Sequence, residues 1–457
     1  AVDVIRAPRS TGSILKPFLY ASMLDDGQLT PDMLVADVPT QYGGYAPKNY
    51  SQSYDGAVPA RRALARSLNV PAVRMLQDYG IDRFHHRLRA LGMSTLHRPP
   101  EDYGLSLILG GAEATLWDLA SIYAGMGRTL LQYPGYTPDL RAKPHYRMHR
   151  PTQENAGLEA VTPLVQAGAV WHTLEAMLEV TRPEEDINWR AFASSRKIAW
   201  KTGTSFGFRD AWAIGLTPDH VVAVWVGNAD GEGRPGLVGL EAAAPLLFDV
   251  FDRLPHAGWF TPPYDNMAQV PVCRQSGHRV SEWCEHPEMA WLPETALRTA
   301  ACPYHQLVHL DASATWRVDS ECEDVARMVP RSWFVLPPVM EWYYQYNHPH
   351  YKSLPPFRAD CEATVSDRPM AVIYPKRLSR IKVPVQLDGS VGRTVFQVTH
   401  RRRSATIHWH LDEIYLGATR DIHEMELVPH PGKHTLTLVD ENGQSISRSF
   451  EVVGEAS

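Results

Sequence analysis

The sequence has no run of 18 or more apolar residues, so no part of it reads as a membrane-spanning helix. Its first ten residues, Ala1 to Ser10, contain neither an initiator Met nor an apolar signal core. The chain is therefore expected to begin either after processing or inside a longer protein. No cysteine precedes Cys273. Neither sign of charge dominates: 45 Lys and Arg stand against 51 Asp and Glu, for a formal net charge of −6. That balance gives no reason to expect nucleic acid as a partner. The one basic run, Arg401-Arg402-Arg403, is short and reads as a solvated loop. No internal repeat is visible.

What is present is the composition of a globular protein, with 44% hydrophobic and 21% charged residues. At 457 residues the chain is too long for one ordinary core, and two or three domains are expected. Residues 1–255 read as mixed α and β. Helical periods run through Leu15-x-x-Phe18-Leu19, Ala60 to Gln77, and Leu109 to Leu130. Strands are expected at Lys197 to Thr204, Asp210 to Leu216 and Val221 to Asn228. The short turns between them imply an antiparallel meander. Residues 256–366 are dense in proline and hold all five cysteines, and read as an irregular connector. Residues 367–457 read as short strands forming a small β-sandwich. Asp440-Glu441-Asn442-Gly443 and Asp412-Glu413 mark two of its hairpins.

The cysteines are Cys273, Cys284, Cys302, Cys322 and Cys361. In an oxidising compartment they read as one or two disulfides with a thiol left over. The rival reading is zinc, because Cys284-x-His286 and Cys302-x-x-His305 supply four ligands of the right type at loosely fitting spacing. The expectation carried forward is no metal and no cofactor.

Three short patterns carry chemistry: Ser13-Ile14-Leu15-Lys16, Ser67-Leu68-Asn69 and Lys201-Thr202-Gly203-Thr204. S-x-x-K alone is common, and Ser194 to Lys197 and Ser379 to Lys382 also match it. Those two precede expected strands, whereas Ser13 follows Ser10-Thr11-Gly12 and is expected to open a helix. Positions i and i+3 share a helix face, so Lys16 can reach the Ser13 hydroxyl. Ser13 is then a candidate nucleophile and Lys16 its base. A lysine acts as base only when neutral, and burial with a second cation nearby lowers its pKa. Lys201 is the candidate second cation. Ser67 can relay a proton to a leaving amine, and Asn69 can hold a substrate carbonyl. The bland alternative is that Asn69 simply ends a helix before Val70-Pro71. Gly203 in a strand marks close approach of another backbone. A peptide can add along that edge, with Lys201 and Thr202 facing its carboxylate. The backbone N–H groups of Thr204 and Ser13 can form an oxyanion hole.

S-x-x-K, S-x-N and K-T-G in this order resemble the penicillin-binding proteins and serine β-lactamases. Arg9-Ser10-Thr11-Gly12-Ser13 with Lys16-Pro17-Phe18 is similar to the transpeptidase modules of bifunctional class A penicillin-binding proteins. So are Tyr45-Ala46-Pro47-Lys48-Asn49-Tyr50, Ala63 to Val73, and Phe208-Arg209-Asp210-Ala211-Trp212. The cysteine-bearing connector and the tail with Trp409 and Leu416-Gly417 are similar to the 1C subtype. The resemblance implies an α+β fold of the serine β-lactamase and DD-peptidase type, an antiparallel sheet flanked by helices, followed by a small Ig-like β-sandwich. It implies a peptidoglycan transpeptidase on the periplasmic side of the bacterial inner membrane. Ser13 would attack between two terminal D-alanines of a stem peptide, and an amine of a neighbouring stem would resolve the acyl-enzyme. β-Lactams would trap Ser13. Arg209 and Asp210 would be structural.

Members of the family carry a membrane anchor and a glycosyltransferase module upstream, and strands before the S-x-x-K helix. Only twelve residues precede Ser13 here, so a C-terminal fragment beginning inside the transpeptidase domain is expected. Other readings are a DD-carboxypeptidase, where water resolves the acyl-enzyme, and a β-lactam or peptidoglycan sensor that does not turn over. A serine β-lactamase fits the long C-terminal extension poorly. The C-terminal domain is expected to bind a cell-envelope protein or glycan.

Overall fold

A computed structural model describes residues 3–131 except 41, 43 and 44, residues 164–180, and 196–361 except 257 and 321. It also describes 369–383 except 377 and 378, and 393–453 except 403, 413 and 442. Ser194, Ser195, Arg403, Glu413, Asn442 and the expected boundary at 366/367 lie outside these residues. Contacts divide the chain into two units. The first comprises Ala1–Val35, Val58–Ser281 and His286–Cys302. The second comprises Ala36–Ala57, Glu282–Glu285 and Pro303–Ser457.

The first unit is built on an antiparallel sheet of β1 (Ala199–Thr204), β2 (Asp210–Leu216) and β3 (Val221–Gly227), in that spatial order. The expected meander is present. Every residue of β2 is buried, whereas β3 is half-buried. Among the described residues no strand pairs with the outer edge of β1. Helices cover the sheet. They are α1 (Lys16–Asp25), α2 (Ala60–Ala65), α3 (Asn69–Tyr79), α4 (Ile81–Leu91), α5 (Leu116–Leu131), α6 (Ala167–Leu178) and α7 (Ala244–Asp252). Helix α1 is buried from Lys16 to Leu24 and so lies inside the helical layer, with no solvent-facing stripe. Trp200 and Ala213 of the sheet pack with Leu247 and Phe251 of α7 in one apolar cluster.

Two expected helices are shorter than their periodic patterns. The Ala60–Gln77 pattern is interrupted at Ser67, which separates α2 from α3. The Leu109–Leu130 pattern is helical only from Leu116, because Gly110 turns the chain with φ +103°.

The reading of 256–366 as irregular is corrected. In the first unit β4 (Met267–Cys273) pairs with β5 (Pro287–Pro293). In the second, β6 (His305–Leu310) pairs with β7 (Val329–Phe334), and α8 (Pro338–Asn347) follows. Pro271, Pro287 and Pro330 sit within these strands. Proline is tolerated there because each sheet has two strands, so every strand is an edge. One disulfide, Cys322–Cys361, closes a loop of sequence separation 39.

The C-terminal part of the second unit holds two sheets. One contains β8 (Met370–Tyr374), β10 (Thr394–His400) and β13 (Glu424–Leu427). The other contains β9 (Arg380–Lys382), β11 (Thr406–Leu411), β12 (Ile414–Arg420), β14 (Gly432–Asp440) and β15 (Ser445–Val453). Phe396 and Val398 of the first share a core with Ile407, Trp409, Leu436, Leu438 and Phe450 of the second. This is the packing of a β-sandwich. The indole Nε1–H of Trp409 donates to Thr419 Oγ1 at 2.7 Å, which satisfies its one buried polar atom.

Candidate active site

Ser13 lies in a tight turn ahead of α1, and not on the first helical residue as the sequence suggested. Ile14 N–H donates to Thr11 O at 3.1 Å and Lys16 N–H to Ser13 O at 3.3 Å. The reason is Pro17. An α-helical bond to the Ser13 carbonyl would come from residue 17, and proline has no N–H to give. The carbonyl takes the shorter i→i+3 bond instead. The Tyr123 hydroxyl donates to Ile14 O at 2.9 Å and pins the turn from α5.

Ser67 sits in the break between α2 and α3 with φ +56°, a left-handed conformation that costs a non-glycine residue about 1–3 kcal/mol. The chain holds it there through Ser67 N–H to Leu64 O and Leu68 N–H to Ala63 O, at 3.0 and 2.9 Å. Asn69 begins α3. The alternative in which it ends a helix is therefore corrected, with Pro71 taking the first-turn place where its missing N–H costs nothing.

Strand β1 passes directly over the Ser13 turn. A Cβ on Gly203 would stand 2.8 Å from Thr11 O and 3.3 Å from Ser13 N. One on Gly12 would stand 2.7 Å from Thr204 N. Only backbone fits between strand and turn, so glycine is required on both sides. Thr204 Oγ1 accepts from the Gly239 N–H at 3.0 Å, which turns its hydroxyl toward the residues ahead of α7. Thr202 is half-buried on β1 and stands opposite Ala213 in the ladder.

The two lysines meet at Ser67. Lys16 is 3% exposed and Lys201 0%. Lys16 Nζ donates to Ser67 O and Asn69 Oδ1, both at 2.7 Å, and stands 3.5 Å from Ser67 Oγ. Lys201 Nζ donates to Ser67 Oγ and Thr202 O, both at 2.8 Å. Burial, with the Lys201 charge second, holds Lys16 well below the usual lysine range. Burial brings Lys201 down to about 7. Lys16, lowered by a neighbouring charge as well as by burial, is the member of the pair disposed to give up its proton. A neutral amine has two N–H bonds, and two carbonyl oxygens take them. Its lone pair is left for a hydroxyl proton, and Ser13 is three residues away on the same turn. A protonated Lys201 has a third N–H beyond its two bonds.

The remaining sequence-derived residues are accounted for. Asp210 Oδ1 accepts from the Trp225 indole at 3.0 Å, and its N–H donates to Ser205 Oγ at 2.8 Å, which closes the β1–β2 turn. The structure thus brings Ser67, Asn69, Lys16 and Lys201 into one hydrogen-bonded group, with β1 against the Ser13 turn. Gly239 and Tyr123 were missed. Each acts through one long-range bond that no local spacing announces.

Comparison with known proteins agrees with this geometry. Residues 2–252 match the family described as the penicillin binding protein transpeptidase domain, and residues 359–450 match the penicillin-binding protein C-terminus family. The chain belongs to the penicillin-binding proteins. It is 31% identical to penicillin-binding protein 1C of Escherichia coli K12 over 437 residues, covering 89% of this chain and 54% of that protein. It is 29% identical to penicillin-binding protein 1B of Vibrio cholerae, covering 50% of this chain and 29% of that one. The chain thus spans about half or less of the length of these curated relatives. A crystal structure of penicillin-binding protein 1A from Haemophilus influenzae superposes with a TM-score of 0.48 at 21% identity, covering 63% of this chain and 48% of that one. Among the described residues no helix is long and apolar enough to cross a membrane.

Proposed function

We propose that this chain carries out serine acyl transfer in peptidoglycan cross-linking. The observation that carries the reading is the pair of buried lysines meeting at Ser67, with Lys16, three residues from Ser13, held well below the usual lysine range. Lys16 takes the Ser13 proton as Ser13 Oγ bonds to the carbonyl carbon between two terminal D-alanines of a stem peptide. The C–N bond breaks. Ser67 gives its proton to the leaving D-alanine amine and is reprotonated from Lys16, whose Nζ stands 3.5 Å away. The attacking amine of a second stem peptide then reverses the proton path and forms the cross-link. Asn69 positions the substrate amide. Lys201 and Thr202 hold its terminal carboxylate as the peptide adds along the open edge of β1. The N–H groups of Ser13 and Thr204 face the oxyanion.

The same reading makes β-lactams trapping ligands. It assigns the chain to the periplasmic side of the inner membrane, in a longer protein with an upstream glycosyltransferase module. The C-terminal sandwich would dock on a cell-envelope protein or glycan.

The test is labelling with a fluorescent penicillin, followed by peptide mass mapping and product analysis with a stem peptide and an acceptor amine. Label on Ser13, none on Ser13→Ala, and a cross-linked product support the reading. Label on another residue would sink it, and release of D-alanine with no amine adduct would limit the chain to carboxypeptidase chemistry.

A further inference from the structure

The segment that carries Ser13 crosses one face of the first unit's sheet. Gly203, Trp212 and Trp225 stand directly opposite one another on β1, β2 and β3. Opposed residues point to the same face, so the three form one row across it. Each meets a successive part of the segment. The Arg9 guanidinium lies over the Trp225 ring, 4.8 Å from its centroid. The Trp212 indole Nε1–H donates to Ser10 O at 2.8 Å. Gly203 meets the turn itself, where its missing side chain leaves room for Thr11 O and Ser13 N.

The segment is held from its other side too. Arg9 and Ser10 pair with Ala114 and Glu113. Ser10 Oγ donates to Gly110 O at 2.7 Å, and Thr11 N–H to Ala112 O at 3.1 Å. It is thus clamped between the row and residues 110–114. Trp212 is 0% exposed, and it is the member of the row whose side chain donates to the segment. The Trp225 indole gives its N–H to Asp210 Oδ1 instead. Between Ser10 and Ser13 there is little slack. Gly12, at φ +51°, already lies against Thr204, and Ile14 N–H closes the turn on Thr11 O. A shift at Ser10 therefore passes on to Ser13.

We propose that Trp212 is a positioning residue for the Ser13 nucleophile: its indole N–H fixes the Ser10 carbonyl against the sheet and so sets where Ser13 stands. The inference rests on the acyl-transfer reading and deepens it. The indole touches no reacting atom and acts through the backbone of the segment. Without its N–H, the Ser10 carbonyl loses that donor beside an apolar ring, and the segment relaxes away from the row. A misplacement of about 1 Å between reacting groups costs about 10²-fold in rate. In the same reading Lys201 and Thr202 hold the ligand's carboxylate from β1, which does not depend on the Ser10 carbonyl. The loss therefore falls on the chemical step and not on binding.

The test is the rate of labelling by a fluorescent penicillin over a range of concentrations, which separates the acylation rate constant from the dissociation constant of the preceding complex. Trp212→Phe keeps an aromatic ring and removes the N–H. Its acylation rate constant is expected to fall about 10- to 10²-fold with the dissociation constant unchanged. Benzothienylalanine in place of Trp212 keeps the shape of the indole, with sulphur where the N–H stood. It is expected to show the same loss, and it reads the bond alone should the phenylalanine variant fold poorly. Trp259→Phe removes a comparable indole bond, to Glu175 Oε1 at 2.8 Å, and is expected to keep the native rate constant. A native rate constant in the benzothienylalanine protein, or a loss confined to the dissociation constant, would overturn the inference and leave the acyl-transfer reading standing. A native chain that penicillin does not label would overturn that reading and this inference with it.

Discussion

The two units bury charge in opposite ways. In the second, two buried acids each meet a basic group. His400 Nε2 lies 3.1 Å from Asp440 Oδ2, both 1% exposed, and Glu341 pairs with Arg401. In the first, two lysines are buried around one serine hydroxyl, and their bonds go to neutral oxygens. A buried charge matched by a partner is compensated, and removing that partner costs a fold about 3–5 kcal/mol. Two like charges sharing a neutral hydroxyl drive one of them to give up its proton, which is useful only to chemistry. The contrast separates a site from a core without reference to any motif.

The largest expected effect breaks the first arrangement. Lys16→Ala is expected to slow β-lactam acylation by about 10²- to 10⁴-fold, the usual worth of a positioned general base, with the thermal transition in place. Lys201→Ala sharpens the point. Removing its charge raises the Lys16 pKa, so the acidic limb of the acylation rate moves to higher pH. In the native chain kcat/KM is expected to fall on the basic side as Lys201, at about 7, loses its proton. It falls on the acidic side as Lys16 gains one. A pH–rate series on both proteins checks the shift.

The second arrangement is broken from its core. Trp409→Ala empties a fully buried site and is expected to cost the sandwich about 3–5 kcal/mol, while acylation at Ser13 is unchanged. Denaturation monitored beside penicillin labelling reads both. Cys322→Ser is expected to cost about 2–4 kcal/mol in the same unit, again without effect on acylation. The smallest effect belongs to Thr204. Thr204→Val removes the acceptor for Gly239 N–H and is expected to lower the acylation rate by an amount corresponding to about 1 kcal/mol, with Thr204→Ser restoring it.

The chemistry of the site was legible because it is local. S-x-x-K, S-x-N and K-T-G each fit within four residues, and each needs one turn or one strand to present it. Helix ends were less legible. Pro17 delays α1 through a hydrogen bond it cannot make, and Ser67 stops α2 in a conformation that residue type alone does not favour. The connector was misjudged because proline density says nothing about whether a strand is an edge. Thr204 with Gly239, and Ser10 with Trp212, are 35 and 202 residues apart, joined by folds that no short window contains.

The most direct measurement is an NMR titration of lysine Cε-labelled protein, with Lys16→Ala and Lys201→Ala for assignment. The account expects one buried lysine, Lys201, to titrate near 7 and the other, Lys16, to titrate well below the ordinary lysine range. Two lysines that both titrate in the ordinary range near 10.5 would contradict it, because no neutral amine would then be present to take the Ser13 proton.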